Sequence, residues 1–281
     1  MRFALVDSGL GVLPAAMHLR RLWPDAELVL SIDPEGMPWG PRTPDDIADR
    51  ALACAQATLP WNPDVLVLAC NTASVRALDV LRGELEPDIP VVGTVPAIKP
   101  AAAGGEPVAI WATAATTGSP YQQNLIRQFA DGVRVTEVAC PGLADAIEAA
   151  DQEAITAAVA AAASLTPPGA RAVVLGCTQY ELAMDRIRSV LPRVRLHGSA
   201  AAVAAQAIRR TPSRLAGPAD AGPAGAGAPG SAASRGAAAR PASQPELHVL
   251  LSGKTGELPA AALSYAGGRL LAGLRLPSPA A

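Results

Sequence analysis

The chain has 281 residues, with 23 Lys and Arg against 25 Asp and Glu and a formal net charge of −2. This length is enough for two ordinary domains with a sizeable core. A near-neutral chain without a Lys/Arg-rich run lacks the charge that phosphate-backbone binding requires, which argues against nucleic acid as a partner. No apolar stretch approaches the roughly 20 residues that cross a bilayer, so a membrane partner is not expected either.

The start of the chain and the cysteines predict a reducing compartment. Asp7 directly follows the short apolar run at 2–6, which leaves no room for the apolar region of a signal peptide, so we expect a cytoplasmic protein. Cys54, Cys70, Cys140 and Cys177 are then expected to be thiols rather than disulfides. They form no C-x-x-C pair and the three histidines are distant in sequence, so no metal site is predicted.

Short apolar runs alternate with amphipathic stretches, which is the pattern of strands and helices in an α/β fold. The predicted strands are, in chain order, 2–6, 27–31, 65–69, 91–94, 108–111, 134–138, 172–175 and 247–251. The predicted helices are 13–23, 44–59, 73–84, 120–129, 143–165, 180–191, 200–210 and 260–271. Near-continuous apolar strands such as 65–69 are typical of parallel strands buried on both faces.

The segment from Thr211 to Pro245 is almost entirely Ala, Gly, Pro and Ser with scattered arginines. Such a segment cannot bury enough apolar surface to offset the entropy lost on ordering. We therefore predict a disordered surface loop inserted near the C-terminus. A binding arm for a partner is the alternative, although the segment has no aromatic or dense charge run.

The two halves of the chain resemble each other. Residues 65–72 and 172–178 both consist of an apolar strand, a small residue, a cysteine and a threonine. Residues 3–8 and 108–113 form a second similar pair. These echoes predict two similar α/β domains that have mainly parallel sheets and face each other across a cleft.

Ligands of open parallel sheets bind beyond the carboxyl ends of the strands, where Cys70 and Cys177 are both predicted to lie. A thiol before a helix meets unpaired N–H groups and the positive end of the helix dipole, which stabilise a thiolate. Both sulfurs are therefore predicted to act as bases or nucleophiles. The alternative, a buried thiol that packs as a small hydrophobe, is our interpretation of Cys54 and Cys140.

Polar residues accompany both cysteines at the predicted strand ends. Asp7 can orient or deprotonate a neighbouring group there, and Ser8 can hydrogen-bond a ligand. Asn71, Thr72 and Thr178 can do the same at helix N-termini. All five side chains could instead cap the helices that follow.

Six segments together resemble glutamate racemases, within the wider aspartate/glutamate racemase superfamily. Cys-Asn-Thr and Gly-Cys-Thr are specific in combination and occur in the expected order. The segments are Asp7-Ser8-Gly9-Leu10-Gly11, Pro38-Trp39-Gly40, residues 69–74, Val91-Val92-Gly93, residues 112–116 with Ser119 and Tyr121, and Gly176-Cys177-Thr178-Gln179-Tyr180.

The resemblance implies a cofactor-independent racemase that interconverts L- and D-glutamate, the D-enantiomer serving peptidoglycan synthesis. One cysteine thiolate removes the α-proton from one face, and the other thiol returns a proton to the opposite face. We predict a first domain from 1–95 plus 200–281 and a second domain from 96–199. The partner is a small amino acid, and a homodimer is possible.

The resemblance also assigns roles to individual residues. Cys70 and Cys177 are the two bases, Asp7 supports Cys70, and Glu148 is an assisting acid. The positions that match substrate-binding residues of the family are Ser8, Pro38, Trp39, Gly40, Asn71, Thr72, Thr113, Thr116 and Thr178.

The chain departs from the family pattern beside the second cysteine. Gln179 and Glu181 stand where the family usually has histidine and proline, and Trp39 replaces a tyrosine. Glutamine cannot exchange a proton near neutral pH, as histidine can. Two alternatives therefore stay open: a related racemase or isomerase of aspartate, a hydantoin or another small carboxylic acid, and a metabolite-binding protein without catalysis.

Overall fold

The structure is a computed structural model that describes residues 1–211 and 245–273. The segment predicted to be a disordered loop therefore lies, apart from its end residues, outside the described residues. The strands are β1 Arg2–Asp7, β2 Glu27–Ile32, β3 Val65–Leu68, β4 Val91–Gly93, β5 Val108–Ala112, β6 Val135–Ala139, β7 Ala172–Leu175, β8 Arg195–His197, β9 Leu247–Leu251 and β10 Lys254–Gly256. The helices are α1 Val12–Leu22, α2 Pro44–Gln56, α3 Asn71–Arg76, α4 Leu78–Leu85, α5 Ile98–Ala102, α6 Pro120–Phe129, α7 Leu143–Glu148, α8 Gln152–Leu165, α9 Met184–Val190, α10 Ala200–Arg209 and α11 Ala266–Leu271.

The strands form two sheets. The six-stranded sheet has the order β10-β9-β2-β1-β3-β4, and the four-stranded sheet has the order β6-β5-β7-β8. Every pairing in both sheets is parallel except that of β9 with β10. The predicted α/β class with mainly parallel sheets is confirmed.

The two sheets repeat one arrangement of four strands. In the first sheet β1 lies between β2 and β3, with β4 beyond β3; in the second, β5 lies between β6 and β7, with β8 beyond β7. The strands β3 and β7, which precede Cys70 and Cys177, thus occupy equivalent positions. This equivalence explains the similarity between residues 65–72 and 172–178.

The apolar core joins the two halves. The side chains of β1 alternate between two buried clusters, because successive residues of a strand point to opposite faces. Phe3 and Leu5 belong to a cluster that continues to Trp111 and Leu175 around the second sheet. Ala4 and Val6 contribute to a cluster with α2, β3 and α4. One shared core therefore supports both sheets, including the edges at which their strands end.

Two predicted long helices are interrupted in the structure. The region 143–165 divides into α7 and α8 at Ala150, whose φ of 54° is left-handed. Asp151 caps α8 by accepting the N–H groups of Glu153 and Ala154. The region 73–84 divides into α3 and α4 at Ala77. Alanine-rich sequence has high helix propensity throughout, so it masks where tertiary contacts end one helix and begin the next.

Three short elements are absent from the prediction: β8, β10 and α5. Each has five residues or fewer, too few to show a hydrophobic period. The predicted helices that begin at 180 and 260 start instead as 3₁₀ segments, Thr178–Ala183 and Ala260–Ser264. Among residues 1–211 and 245–273, no helix combines the length and hydropathy that crossing a bilayer requires.

Glu181, one of the departures from the family pattern, has a structural role. Its Oε1 accepts the backbone N–H groups of Ser199 and Ala200, at 2.6 and 2.9 Å, at the start of α10. A carboxylate at that point satisfies donors that have no partner within the helix and complements the helix dipole. Glu181 thereby ties the segment after Cys177 to α10.

We expect Glu181→Ala to lower the free energy of unfolding by about 1–3 kcal/mol, because two buried N–H groups lose their acceptor. Urea denaturation of the purified protein measures this change. Glu84→Ala, which truncates an exposed glutamate on α4, should change it by less than about 0.5 kcal/mol. Equal effects of the two substitutions would contradict the capping role.

Candidate active site

A cavity of about 320 Å³ lies where the carboxyl ends of the two sheets meet. Every site residue predicted from the sequence lines this cavity except Asp7. The lining set that was predicted comprises Cys70, Cys177, Glu148, Ser8, Pro38, Trp39, Gly40, Asn71, Thr72, Thr113, Thr116 and Thr178. The two halves of the chain therefore contribute to one site.

Cys70 follows β3 and directly precedes α3. Burial raises the pKa of its thiol well above the ordinary value, and the charge of Asp7 acts in the same direction. The backbone N–H groups of Ala73 and Thr72 donate to the sulfur and partly oppose this shift. The expected N–H donors are present, but the apolar surroundings outweigh them.

Cys177 occupies the equivalent position after β7. Burial, with smaller contributions from Asp7 and Glu148, raises the pKa of its thiol to about 12. A 3₁₀ segment of six residues follows Cys177 in place of a regular α-helix. Backbone N–H groups favour both thiolates, as predicted, but burial outweighs them and the pKa of each thiol lies above its ordinary value.

Asp7 lies behind the cavity and connects the two halves. Its Oδ2 accepts the hydroxyl of Thr178 at 3.2 Å, and its Oδ1 accepts the N–H of Gly9 at 3.3 Å. Burial raises the pKa of Asp7 to about 7, although these hydrogen bonds lower it. A Cβ at Gly11 would lie 2.2 Å from Thr178 Oγ1, so this close approach requires glycine.

Glu148, at the end of α7, also bridges the halves. Its Oε2 accepts the Leu10 N–H at 2.8 Å and the Gln179 side-chain amide at 3.3 Å. Burial raises its pKa. The loop after β1 thus contacts Glu148 of the second half at Gly9 and Leu10, and Thr178 of the second half at Gly11.

The polar lining consists of amide and hydroxyl groups. Asn71 donates from Nδ2 to the carbonyl of Gly176 at 2.9 Å, while its buried Oδ1 has no hydrogen-bond partner among the described residues. The hydroxyls of Thr113 and Thr116 lie 3.0 Å apart. Within residues 1–211 and 245–273, no Lys, Arg or His lines the cavity, and no cluster of His, Cys, Asp and Glu could hold a metal ion.

Trp39 is held by a residue that sequence reasoning missed. The indole Nε1 donates to Asp33 Oδ2 at 2.9 Å, and the Ser252 hydroxyl donates to Asp33 Oδ1 at 2.8 Å. Asp33 also pairs with Arg50 at 3.2 Å. Burial tends to raise the pKa of Asp33, but these three partners outweigh it and the pKa is lowered. The position of Asp33 directly after β2, at the same sheet edge as Asp7, is the sequence feature that could have predicted it as a site residue.

We expect Asp33→Asn to raise KM about three- to tenfold while changing kcat less, because Trp39 loses a charge-assisted anchor but remains next to the cavity. Steady-state kinetics of the racemisation predicted from the sequence, followed in both directions, measure KM and kcat. Glu35→Gln, at an exposed carboxylate in the same loop, is the control and should leave both constants unchanged. A fall in kcat with constant KM would contradict this assignment.

Eleven other lining residues were not predicted as site residues, and three of them carry a thiol, carboxyl or amide side chain: Cys140, Asp145 and Gln179. Cys140 is buried and its thiol donates to the carbonyl of Val138 at 3.6 Å. Cys54 lies in a separate buried cluster around α2. The packing interpretation of these two cysteines therefore stays compatible with their positions.

One thiol at each of two equivalent strand ends, both lining one cavity, is an arrangement that suits an α/β enzyme that moves protons. The family model for Asp/Glu/Hydantoin racemases matches residues 15–207, which include both thiols. The chain belongs to this racemase family.

Individual relatives are similar over most of their length. The glutamate racemase of Roseiflexus sp. is 38% identical over 191 residues, which are 66% of this chain and 70% of that protein. The glutamate racemase of Herpetosiphon aurantiacus is 36% identical over 211 residues, 73% and 82% of the two chains. A crystal structure of Escherichia coli glutamate racemase with L-glutamate and the activator UDP-MurNAc-Ala matches with a TM-score of 0.69 and 30% identity, covering 75% of this chain and 84% of that one.

Proposed function

We propose that this protein is a cofactor-independent glutamate racemase that uses Cys70 and Cys177 as its two bases. The single observation that carries the proposal is the presence of one thiol at each of two equivalent strand ends, both lining the same cavity. Inversion at one carbon needs a base on one face and an acid on the other, and two facing halves can supply them. The glutamate racemases among the relatives support glutamate as the substrate.

In this mechanism one cysteine is a thiolate and the other a thiol when the substrate is bound. The thiolate takes the α-proton and becomes a thiol, and the electron pair that is released delocalises into the α-carboxylate. The opposite thiol then donates its proton to the other face and becomes a thiolate. One C–H bond breaks and one forms, so the enzyme ends with its two protonation states exchanged.

The positive charge of the substrate's ammonium group offsets the causes that raise the pKa of the two thiols. Asp7 and Glu148 make the surroundings of the cavity acidic, and they raise the pKa of Cys177 in the free protein. An ammonium group bound among them lowers the pKa of neighbouring thiols by favouring the thiolate. Asn71 Oδ1, buried and without a described partner, is the acceptor that we assign to this ammonium.

The carboxylates of the substrate are assigned to neutral donors. Hydroxyls of Ser8, Thr72, Thr113 and Thr116 and backbone N–H groups surround the cavity, which has no cation among its described lining residues. Pro38, Trp39 and Gly40 close one side of it. Neutral donors hold the carboxylates by hydrogen bonds, without a fixed countercharge.

The alternatives make different predictions for one experiment. The purified protein is incubated in heavy water with L-glutamate or D-glutamate, and α-deuterium and enantiomer ratio are followed by NMR and circular dichroism. We expect deuterium in the product enantiomer and full racemisation from both sides. Binding without exchange would indicate a metabolite-binding protein, and exchange only with aspartate or a hydantoin would indicate the related isomerase.

We also propose a division into domains of 1–95 plus 200–281 and of 96–199. It is supported by the pairing of β9 with β2, which returns the chain end to the first sheet, and by the restriction of β5–β8 to the second sheet.

We also propose a cytoplasmic location and a homodimer. The cytoplasmic location is supported by the four cysteines, which are all free thiols. Light scattering of the purified protein tests the proposed homodimer.

A further inference from the structure

The side chain of Gln179 connects two groups that exchange protons. The Cys177 thiol donates to Gln179 Oε1 at 2.8 Å, and Gln179 Nε2 donates to Glu148 Oε2 at 3.3 Å. Gln179 is only 8% exposed, so water does not readily replace either partner. Glu148 is further held by the Leu10 N–H at 2.8 Å.

The two ends of the Gln179 amide differ in kind, because one end only accepts hydrogen bonds and the other only donates. An ionised Glu148 only accepts, so it requires Nε2 and leaves Oε1 for Cys177. Oε1 accepts a hydrogen bond from a thiol but has none to accept from a thiolate. The observed arrangement therefore pairs a charged Glu148 with a protonated Cys177.

Rotation of the amide by half a turn reverses this pairing. Glu148 as a carboxylic acid can donate its O–H to Oε1, and Nε2 then donates to the Cys177 thiolate. The arrangement with both groups ionised is disfavoured in either orientation, because one anion must face Oε1. The amide thus couples the two ionisations beyond their through-space repulsion.

We propose that Gln179 is a positioning residue that transmits the protonation state of Glu148 to Cys177 through the orientation of its side-chain amide. In the change of state Cys177 loses one proton to cavity water and Glu148 gains one from water, so the net charge is unchanged. The amide itself neither gains nor loses a proton. Its importance for turnover rests on the proposed function, but the coupling does not.

The consequence concerns the direction of catalysis. When Cys177 acts as the acid, the observed arrangement is the competent one. When it acts as the base, Glu148 must be protonated and the amide turned. Gln179 cannot exchange protons, but in this way it would still control the Cys177 thiol in place of the histidine that is usual in the family.

The titratable groups around the pair raise the pKa of both Glu148 and Cys177. Burial raises the pKa of Glu148, and the charge of Asp145 on the same helix raises it further. Asp7 lies close enough for its own pKa to be raised by Glu148, as does the Tyr265 phenol. Cys140 lies close enough to Cys177 to raise the pKa of that thiol. A protonated Glu148 is therefore less costly here than at an exposed position.

The test measures the thiolate character of Cys177 without substrate, so a failure of racemisation would not affect it. The rate of alkylation of Cys177 by iodoacetamide at pH 8.5 is followed by peptide mass spectrometry in four proteins: wild type, Glu148→Gln, Gln179→Met and the double variant. The amide introduced by Glu148→Gln can donate as the protonated acid does. Gln179→Met keeps a similar length without a strong hydrogen-bonding group.

We expect Glu148→Gln to raise the alkylation rate at least threefold when Gln179 is present. A one-unit fall in thiol pKa raises the thiolate fraction about tenfold, and the lower nucleophilicity removes about a factor of three. In the Gln179→Met background the same substitution should change the rate less than about twofold. Equal increases in both backgrounds would show that charge alone acts through space, and no increase in either would show that Glu148 does not control the thiol; both outcomes overturn the proposal.

Circular dichroism spectra and thermal melts establish that all four proteins are folded. If Gln179→Met does not fold, Gln179→Leu gives a second apolar background for the same comparison. The pH profile of kcat is an additional readout in active protein. Gln179→Met should shift it for the direction in which Cys177 is the base.

Discussion

Cys70→Ala and Cys177→Ala should each reduce racemisation of glutamate by at least about 10³-fold in both directions. Removal of a positioned general acid or base costs about 10²–10⁴-fold, and inversion needs both groups in every turnover. Circular dichroism of the reaction mixture measures the rate. The effect should appear in kcat, because the proposed substrate contacts are made by other residues.

The two variants should differ in what they still catalyse. Each retains one sulfur, which can remove and return a proton on its own face. We therefore expect each variant to exchange the α-hydrogen of a single enantiomer in heavy water without inverting it, and the two variants to select opposite enantiomers. Exchange of both enantiomers by either variant would contradict a base on each face.

Cys140→Ala is the matched control for this experiment. Cys140 lines the same cavity and is buried, as Cys70 is, but its thiol donates to a backbone carbonyl. We expect this variant to keep most of the activity. A loss as large as that of Cys70→Ala would mean that the cavity tolerates no truncation, and the two-base assignment would lose its support.

Asp7→Asn should reduce kcat by about 10²–10³-fold and increase stability above neutral pH. The substitution keeps the size of the side chain but removes the carboxylate that accepts the Thr178 hydroxyl and whose charge acts on both thiols. The pKa of Asp7 is about 7, so its carboxylate forms as pH rises through that value. The step in kcat near pH 7 that we expect for the wild type should therefore be absent from the variant.

The effect on stability has the opposite sign. The folded-state pKa of about 7 lies above the ordinary value of 3.8, so the folded state favours neutral Asp7. Stability then falls as pH rises from about 4 to about 7, because the unfolded chain ionises first. Asp7→Asn removes this loss, and we expect it to raise the free energy of unfolding at pH 8 by up to about 4 kcal/mol.

Urea denaturation at pH 4 and pH 8 tests this prediction. The stabilisation should fall below about 1 kcal/mol at pH 4, because Asp7 is then neutral in the folded state and only about half ionised in the unfolded chain. Asp79→Asn, at an exposed carboxylate on α4, should change neither stability nor kcat. A variant that is destabilised at pH 8 would show that Asp7 serves the fold more than the reaction.

Local patterns in the sequence were sufficient to predict which strand ends form the site. Strands such as β3 are buried on both faces and read as continuous apolar runs, so their ends could be placed within a residue or two. The carboxyl ends of parallel strands share one edge, which is why Cys70, Asn71 and Thr72 could be predicted to lie together with Cys177 and Thr178. Similar segments in the two halves indicated that both cysteines occupy equivalent positions.

Contacts between distant parts of the chain could not be read in this way. Ser252 reaches Asp33 across 219 positions, and Glu148 meets Leu10 across 138. The helix break at Ala150 and the short strands β8 and β10 likewise have no periodic signal. These features depend on which surfaces meet after folding, a property of the whole packed chain and not of any segment.

The protonation of the site is the clearest case of this difference. Residue types and spacing identified two thiols at strand ends and favoured thiolates there. The folded protein raises the pKa of both, because burial removes the water that would solvate a thiolate and places Asp7 beside them. The sequence therefore predicted which atoms react, whereas their charge follows from desolvation, which exists only once the two halves enclose the cavity.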